Sequence, residues 1–176
     1  MRYVAFLRAI NVGGKNVIRM ADLKAAFEGL GLQSVSTYLQ SGNVLFESPE
    51  KNEEKLAAKI EATLNEMTGG DITVMLRSRA DMQRIVASQP FANDDTTDNH
   101  RFTSFLRQPS DRELPRTTTN GDLEVLSVTT REVFSVPRPI AGRYGQPGVL
   151  IESKLKVRST TRNWSVVTAI AERLTG

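Results

Sequence analysis

The stretch "SVSTYLQSGNVLFES", Ser34–Ser48, decides the fold. In its first half Val35, Thr37 and Leu39 alternate onto one face, the period of an extended chain. "NVLFES" resumes the extended pattern after "SG". Ser41-Gly42 suits a tight turn, and Asn43 tolerates left-handed backbone. Two extended runs so closely joined predict a β-hairpin.

The flanks fix what the hairpin belongs to. Upstream, Met20, Leu23, Phe27 and Leu30 recur at helical spacing, with Gly31 placed as a C-cap. "RYVAFLRAI" before them is apolar and reads as a strand. Downstream, Leu56, Ile60, Leu64 and Met67 share one helical face, and "TGGD" ends that helix. "ITVMLR" then alternates Ile72, Val74 and Leu76. The order β-α-β-β-α-β is that of the ferredoxin-like unit.

The second half reads as a weaker copy. Residues 79–88 form a short helix closed by Pro90. "HRFTSFLR" is a strand, "PSDRELP" a turn or short helix, and "DLEVLSVTT" with "EVFSVPR" a second hairpin. "PRPIAGRYGQPG" reads as loop, and Trp164, Val167, Ala171 and Leu174 mark a C-terminal helix. The expected class is α+β, with two ferredoxin-like subdomains. Residues 1–78 make the first. Residues 79–176 make a second, related one that is incomplete, lacking its last strand.

The chain of 176 residues holds no cysteine, which removes disulfides, thiolate metal sites and thiol nucleophiles. The apolar run after Arg2 stops at Arg8, too short for a signal peptide, and no run approaches membrane-spanning length. The expectation is a soluble cytoplasmic protein with no membrane partner. Charge is uneven: residues 1–46, 47–137 and 138–176 carry +3, −5 and +5. If the basic ends meet, they form one positive surface. Ordinary surface charge explains the same numbers.

Three polar segments stand out. "LRAINVGGKN" leaves the first strand with Arg8, Asn11, Gly13, Gly14, Lys15 and Asn16. Two glycines let backbone N–H groups approach a phosphate or carboxylate, and Lys15 adds a positive charge. The segment is not a P-loop: Ala9 stands where that pattern needs glycine, and Asn16 where it needs Ser or Thr. A glycine turn leading into a helix is the plainer explanation. "QSGN" adds Gln40, Ser41, Gly42 and Asn43, or is simply a turn. "TTRNW" reads as a helix start, with Thr160 or Thr161 as N-cap and Arg162 in the first turn beside Asn163. A cation there opposes the helix dipole by about 0.3–1 kcal/mol, a cost that a bound anion would reverse. The competing reading pairs Arg162 internally with an acidic side chain or a carbonyl. Trp164 belongs to the apolar stripe of its helix.

These segments, "LRAINVGGKN" with "MADLKAAFEGLGL", "VSTYLQSGNVLFES" and "TTRNW", together resemble the bacterial DUF1697 family, a domain of unknown function. The resemblance is close over residues 3–48 and 154–167 and looser between. It implies a pair of ferredoxin-like subdomains and one shared pattern for the three segments. It supplies no established activity, so no catalytic residue is carried over. Ala9 departs from the family, where glycine is common.

Ferredoxin-like topology brings the loop after strand one and the hairpin tip to one edge of the sheet. The candidate ligand-binding set is therefore Arg8, Asn11, Gly13, Gly14, Lys15, Asn16, Gln40, Ser41, Gly42, Asn43, Thr161, Arg162 and Asn163. His100 follows Asp94, Asp95 and Asp98, but the spacing matches no known metal loop, and no metal or cofactor is expected. Three function classes remain. One is a binding module for an anionic small molecule or nucleic acid. The second is an enzyme on a phosphate- or carboxylate-bearing substrate, for which no general base is apparent. The third is an interaction protein whose polar loops are structural. Sheet-face RNA binding is disfavoured, because "SGNVLFES" lacks the aromatic signature. Ligand identity and oligomeric state are not in the sequence.

Overall fold

A computed structural model describes residues 1–40 and 42–176. The chain divides into two compact units: Met1–Met82 with Glu172–Gly176, and Gln83–Ala171. The described residues form two four-stranded antiparallel sheets and five α-helices. No helix among them is long and apolar enough to cross a membrane.

The first unit contains β1 (Arg2–Arg8), α1 (Met20–Gly29), β2 (Gln33–Thr37), β3 (Asn43–Glu47), α2 (Glu53–Thr68) and β4 (Thr73–Ser78). The sheet order is β2-β3-β1-β4, which sets β1 between β3 and β4. The alternation in the strands and the 3.6-residue period in the helices aim at one core. Tyr3, Ala5, Leu7, Val44, Phe46, Val74 and Leu76 from the sheet meet Leu23 and Phe27 of α1 and Leu56, Ile60 and Leu64 of α2. Each such large side chain contributes about 1.5–3 kcal/mol. Met67, expected on the buried face of α2, is exposed. Asn52 caps α2 by accepting from the Lys55 N–H at 3.0 Å, and Gly69 ends it at φ 65°. From the C-terminal segment, the Leu174 carbonyl accepts from Arg2 Nη1 at 3.3 Å, and Arg173 lies 4.6 Å from the Tyr38 ring centre.

The hairpin differs from expectation in one respect. The link is not a two-residue turn. β2 ends at Thr37, and Tyr38–Gly42 lie between the strands, with Leu39 at φ 58° and exposed. Leu39 leaves the strand because Tyr38 and Asn43 already close the ladder: the Tyr38 N–H donates to the Asn43 carbonyl at 2.9 Å.

The helix α3 (Arg79–Ala87) leads into the second unit, which holds β5 (Phe102–Leu106), β6 (Leu123–Val128), β7 (Glu132–Pro137), α4 (Pro147–Leu155), β8 (Ser159–Asn163) and most of α5 (Trp164–Thr175). Its sheet runs β6-β7-β5-β8. Leu106, Leu123, Val125 and Val133 pack on Leu150, Ile151 and Leu155 of α4.

Two expectations are corrected here. The last strand is present: it is β8, drawn from the "STTRN" that read as a helix start, and α5 begins at Trp164. What this unit lacks is a helix between β5 and β6, where residues 107–122 form loop. The supposed Pro/Gly loop also ends earlier. Pro147 opens α4, as proline does at a first helical turn.

Candidate functional site

The segment after β1 carries an unusual run of left-handed backbone: Ala9 (φ 68°), Asn11 (52°), Gly13 (58°), Gly14 (74°) and Asn16 (49°). Ala9, though not a glycine, adopts a glycine-like conformation. Such geometry costs a non-glycine residue about 1–2 kcal/mol. Asparagine side chains offset it. Asn11 bridges the loop twice, donating from Nδ2 to the Ile18 carbonyl at 3.1 Å and accepting from the Ile18 N–H at 2.9 Å. Asn16 Nδ2 donates to the Ala9 carbonyl at 2.7 Å. Ile10 and Ile18 anchor both ends in the core.

Within this frame Val12 to Lys15 form a small hairpin, its Lys15 N–H donating to the Val12 carbonyl at 3.0 Å. Two consecutive positive φ values at Gly13 and Gly14 make a type I′ turn. The turn projects rather than entering a helix: α1 starts only at Met20. An anion nest alternates right- and left-handed residues, whereas here both glycines have the same hand.

The hairpin tip joins this loop, as topology requires. The Leu7 N–H donates to the Gly42 carbonyl at 2.8 Å. A Cβ on Gly42, whose φ is 75°, would stand 2.7 Å from Ile10 Cδ1 and 3.0 Å from Leu7 Cβ. Asn43 is fully buried, and its Nδ2 donates to the Tyr38 carbonyl at 2.9 Å. Gln40 and Lys15 are exposed, and Arg8 is half-buried at the end of β1. Ser41 lies outside the described residues. A third segment, missed in the sequence, also reaches the site. Gly70 lies under Asn16, whose Oδ1 would be 1.7 Å from a Cβ there. The "TGGD" punctuation was its only signal.

Thr161, Arg162 and Asn163 belong to the second unit, on β8 rather than at a helix N-terminus. Thr161 Oγ1 lies 2.7 Å from Ser104 Oγ across the ladder. Arg162 is buried and donates from Nη1 to Thr160 Oγ1 at 2.8 Å and to the Thr161 carbonyl at 2.9 Å. Burial pushes its guanidinium down to about 10, so it stays a cation at neutral pH. This is the carbonyl pairing weighed above as the competing reading.

The same arrangement recurs in the first unit, where sequence gave no hint of it. Buried Arg77 on β4 donates from Nη1 to the carbonyl of the residue before it, Leu76, at 2.7 Å. Three residues before each arginine, a strand N–H meets a glutamate of the preceding helix. Val74 donates to Glu61 of α2 at 2.8 Å, and Ser159 donates to Glu152 of α4 at 3.0 Å. β4 and β8 each have a single strand neighbour, β1 and β5. Their outward N–H and C=O groups need partners, and side chains supply them.

Elsewhere in the second unit the acidic loop is drawn to arginines. Arg138 donates from Nη2 to Asp94 Oδ2 at 2.6 Å, from Nε to Glu124 Oε2 at 2.9 Å and from Nη1 to Thr96 Oγ1 at 3.2 Å. Asp98 accepts from Arg101 Nη1 at 2.8 Å. His100 is exposed, its Nδ1 3.1 Å from Thr97 Oγ1. Burial alone would raise the Asp94 carboxyl, but hydrogen bonds from Thr96 and Arg138 outweigh it and hold the group below 3.8. A depressed carboxylate contributes stability above its unfolded value that is lost as pH falls through its folded value. Arg138 is 39% exposed, so solvent screening holds the contribution to about 1 kcal/mol. Asp94→Asn should therefore cost about that much at pH 7. It should also flatten the loss of stability below about pH 4, as read from urea midpoints across pH.

The fold is thus an α+β pair of four-stranded antiparallel sheets, its first unit carrying a braced polar loop edge. The chain belongs to the DUF1697 family of proteins of unknown function, whose model matches residues 1–134. Among solved structures it is similar to the conserved bacterial protein SP0830 from Streptococcus pneumoniae. The TM-score is 0.69 and the identity 23%, over 98% of each chain, a likeness of fold. Comparison with curated proteins finds no match.

Proposed function

We propose that the chain is a binding module built from two variants of one ferredoxin-like unit, and that the loop edge of the first unit docks a protein partner. The shared strand order and the repeated bonds on β4 and β8, a strand N–H to a helix glutamate and an arginine to the carbonyl before it, support the duplication. One observation carries the docking reading. The amides of Asn11, Asn16 and Asn43 are engaged with the loops' own backbone, while Val12 and Val17 stand 66% and 69% exposed. A rigid projecting turn flanked by apolar side chains, with Lys15 at its base, complements an apolar surface bearing acidic groups.

The test places a photo-crosslinking residue at Val17 of the full chain, identifies the captured protein and titrates it in purified form. Saturable binding is expected, weakened about tenfold in the Val12→Ser/Val17→Ser double variant, a loss of about 1.4 kcal/mol. Binding unchanged in that variant would overturn the docking edge.

A second reading, favoured by the open space around Gly13 and Gly14 beside exposed Lys15, puts an anionic ligand at the turn. Thermal unfolding against phosphate, sulfate, nucleotides, sugar phosphates and oligonucleotides separates the two. A ligand at about a hundred times its Kd adds about 2.7 kcal/mol, and Lys15→Ala would remove that shift.

A further inference from the structure

The second unit holds a cleft of about 290 Å³ lined by Val86, Gln89, Phe91, Ala92, Arg101, Trp164 and Thr168. The end of α3, the turn after it, the residue before β5 and the first turn of α5 meet there. The Trp164 N–H fixes this junction by donating to the Arg101 carbonyl at 2.8 Å. Phe91 and Trp164 meet edge to face, their centroids 5.2 Å apart at 66°, and give the cleft an aromatic wall. Arg101 completes it, its guanidinium carbon 5.7 Å from the Phe91 ring centre.

Arg101 is held at one end only. Nη1 reaches Asp98, and Nη2 donates to the Asp94 carbonyl. Its Nε is buried with no hydrogen-bond partner among the described residues. A buried donor left unmade is costly, the more so on a charged group. The hydroxyl of Thr168 already donates within α5, to the carbonyls of Trp164 and Ser165 at 3.1 Å. The cleft thus combines an aromatic wall, the small apolar side chains of Val86 and Ala92, the amide of Gln89 and one buried cationic donor without an acceptor among the described residues.

We propose that this cleft binds a small aromatic carboxylate, its ring against Phe91 and Trp164 and one carboxylate oxygen on Arg101 Nε. The volume lies at the lower end of the range for ligand sites, about 300 Å³, which suits a single ring with a short acidic arm. Asp98 already balances part of the Arg101 charge, so a monoanion fits better than a doubly charged phosphate. The site is independent of the docking edge on the first unit.

Trp164 is the sole tryptophan of the chain, so its fluorescence reports on this cleft. The full chain is titrated with benzoate and phenylacetate, with benzamide as the neutral isostere and acetate as the acceptor without a ring. A saturable change is expected with the two aromatic acids, weaker by about tenfold or more for benzamide and for acetate. Arg101→Met should lose binding by a similar factor. Because Arg101 also braces the acidic loop, Ala92→Leu provides the second variant: it fills the cleft, leaves Arg101 in place and should abolish the signal. No saturable change with either acid at millimolar concentration would overturn the proposal. So would equal affinity for benzamide, or binding that survives Ala92→Leu.

Discussion

Arg162→Ala should lower the unfolding midpoint by about 10 °C, the shift expected for a loss of about 3 kcal/mol in a chain of this size. The truncation empties a buried volume and strips donors from the Thr160 hydroxyl and the Thr161 carbonyl on the outer edge of β8. Arg162→Met separates the contributions. It restores most of the volume without the cation, and buried charges replaced by apolar groups of similar shape often cost little. If the edge pairing is what matters, methionine recovers only part of the loss. Arg77→Ala, in the matching place on β4, should behave alike. An unmoved midpoint in both alanine variants would remove the edge-sealing account.

Gly42→Ala is the second large effect, at about 3 kcal/mol. Two costs add: an alanine at φ 75° is strained by about 1–2 kcal/mol, and its methyl would press on Ile10 and Leu7. Gly13→Ala and Gly14→Ala supply the control. Both sit at positive φ with nothing within 4 Å of the added carbon, so only strain applies, about 1 kcal/mol each. Urea midpoints of the three variants should rank Gly42 well below the other two. Equal losses would mean that the hairpin tip does not approach β1 as described.

The first unit was legible because its signals agreed. The alternation in Val35–Phe46 and the helical spacing of Leu23/Phe27 and Leu56/Ile60/Leu64 point at the same core. The second unit was harder for a physical reason. Threonine favours both an N-cap and a strand, so "STTRN" before an apolar helical stripe satisfied two local rules at once. The outer edge of β5, invisible from local sequence, decided between them. Helix α4 hid behind Pro147 and Gly148, with its buried residues too few to show a period. At the site, the approach of the hairpin tip at Gly42 to Leu7 and Ile10, where β1 gives way to the loop, followed from topology, but the destination of each amide did not. Asparagine can serve a ligand or its own loop equally well, and only the distances to Ile18, Ala9 and Tyr38 say which is made. Arg77 drew no notice, because a single arginine in the apolar strand β4 reads as an ordinary exposed position, and β8, all polar, shows no matching pattern.

The unit boundary inside α5 has a bearing on how the chain can be made and cut. The first unit draws Arg173 and Leu174 onto Tyr38 and Arg2, so the intervening residues 83–171 are, in topological terms, an insertion into it. During vectorial synthesis the β1–β4 sheet emerges early, but its closing segment leaves the ribosome only after the whole insertion has done so. A fragment severed after Met82 keeps its hydrophobic centre yet forfeits that clasp, and refolding begun from it is a search without its latch.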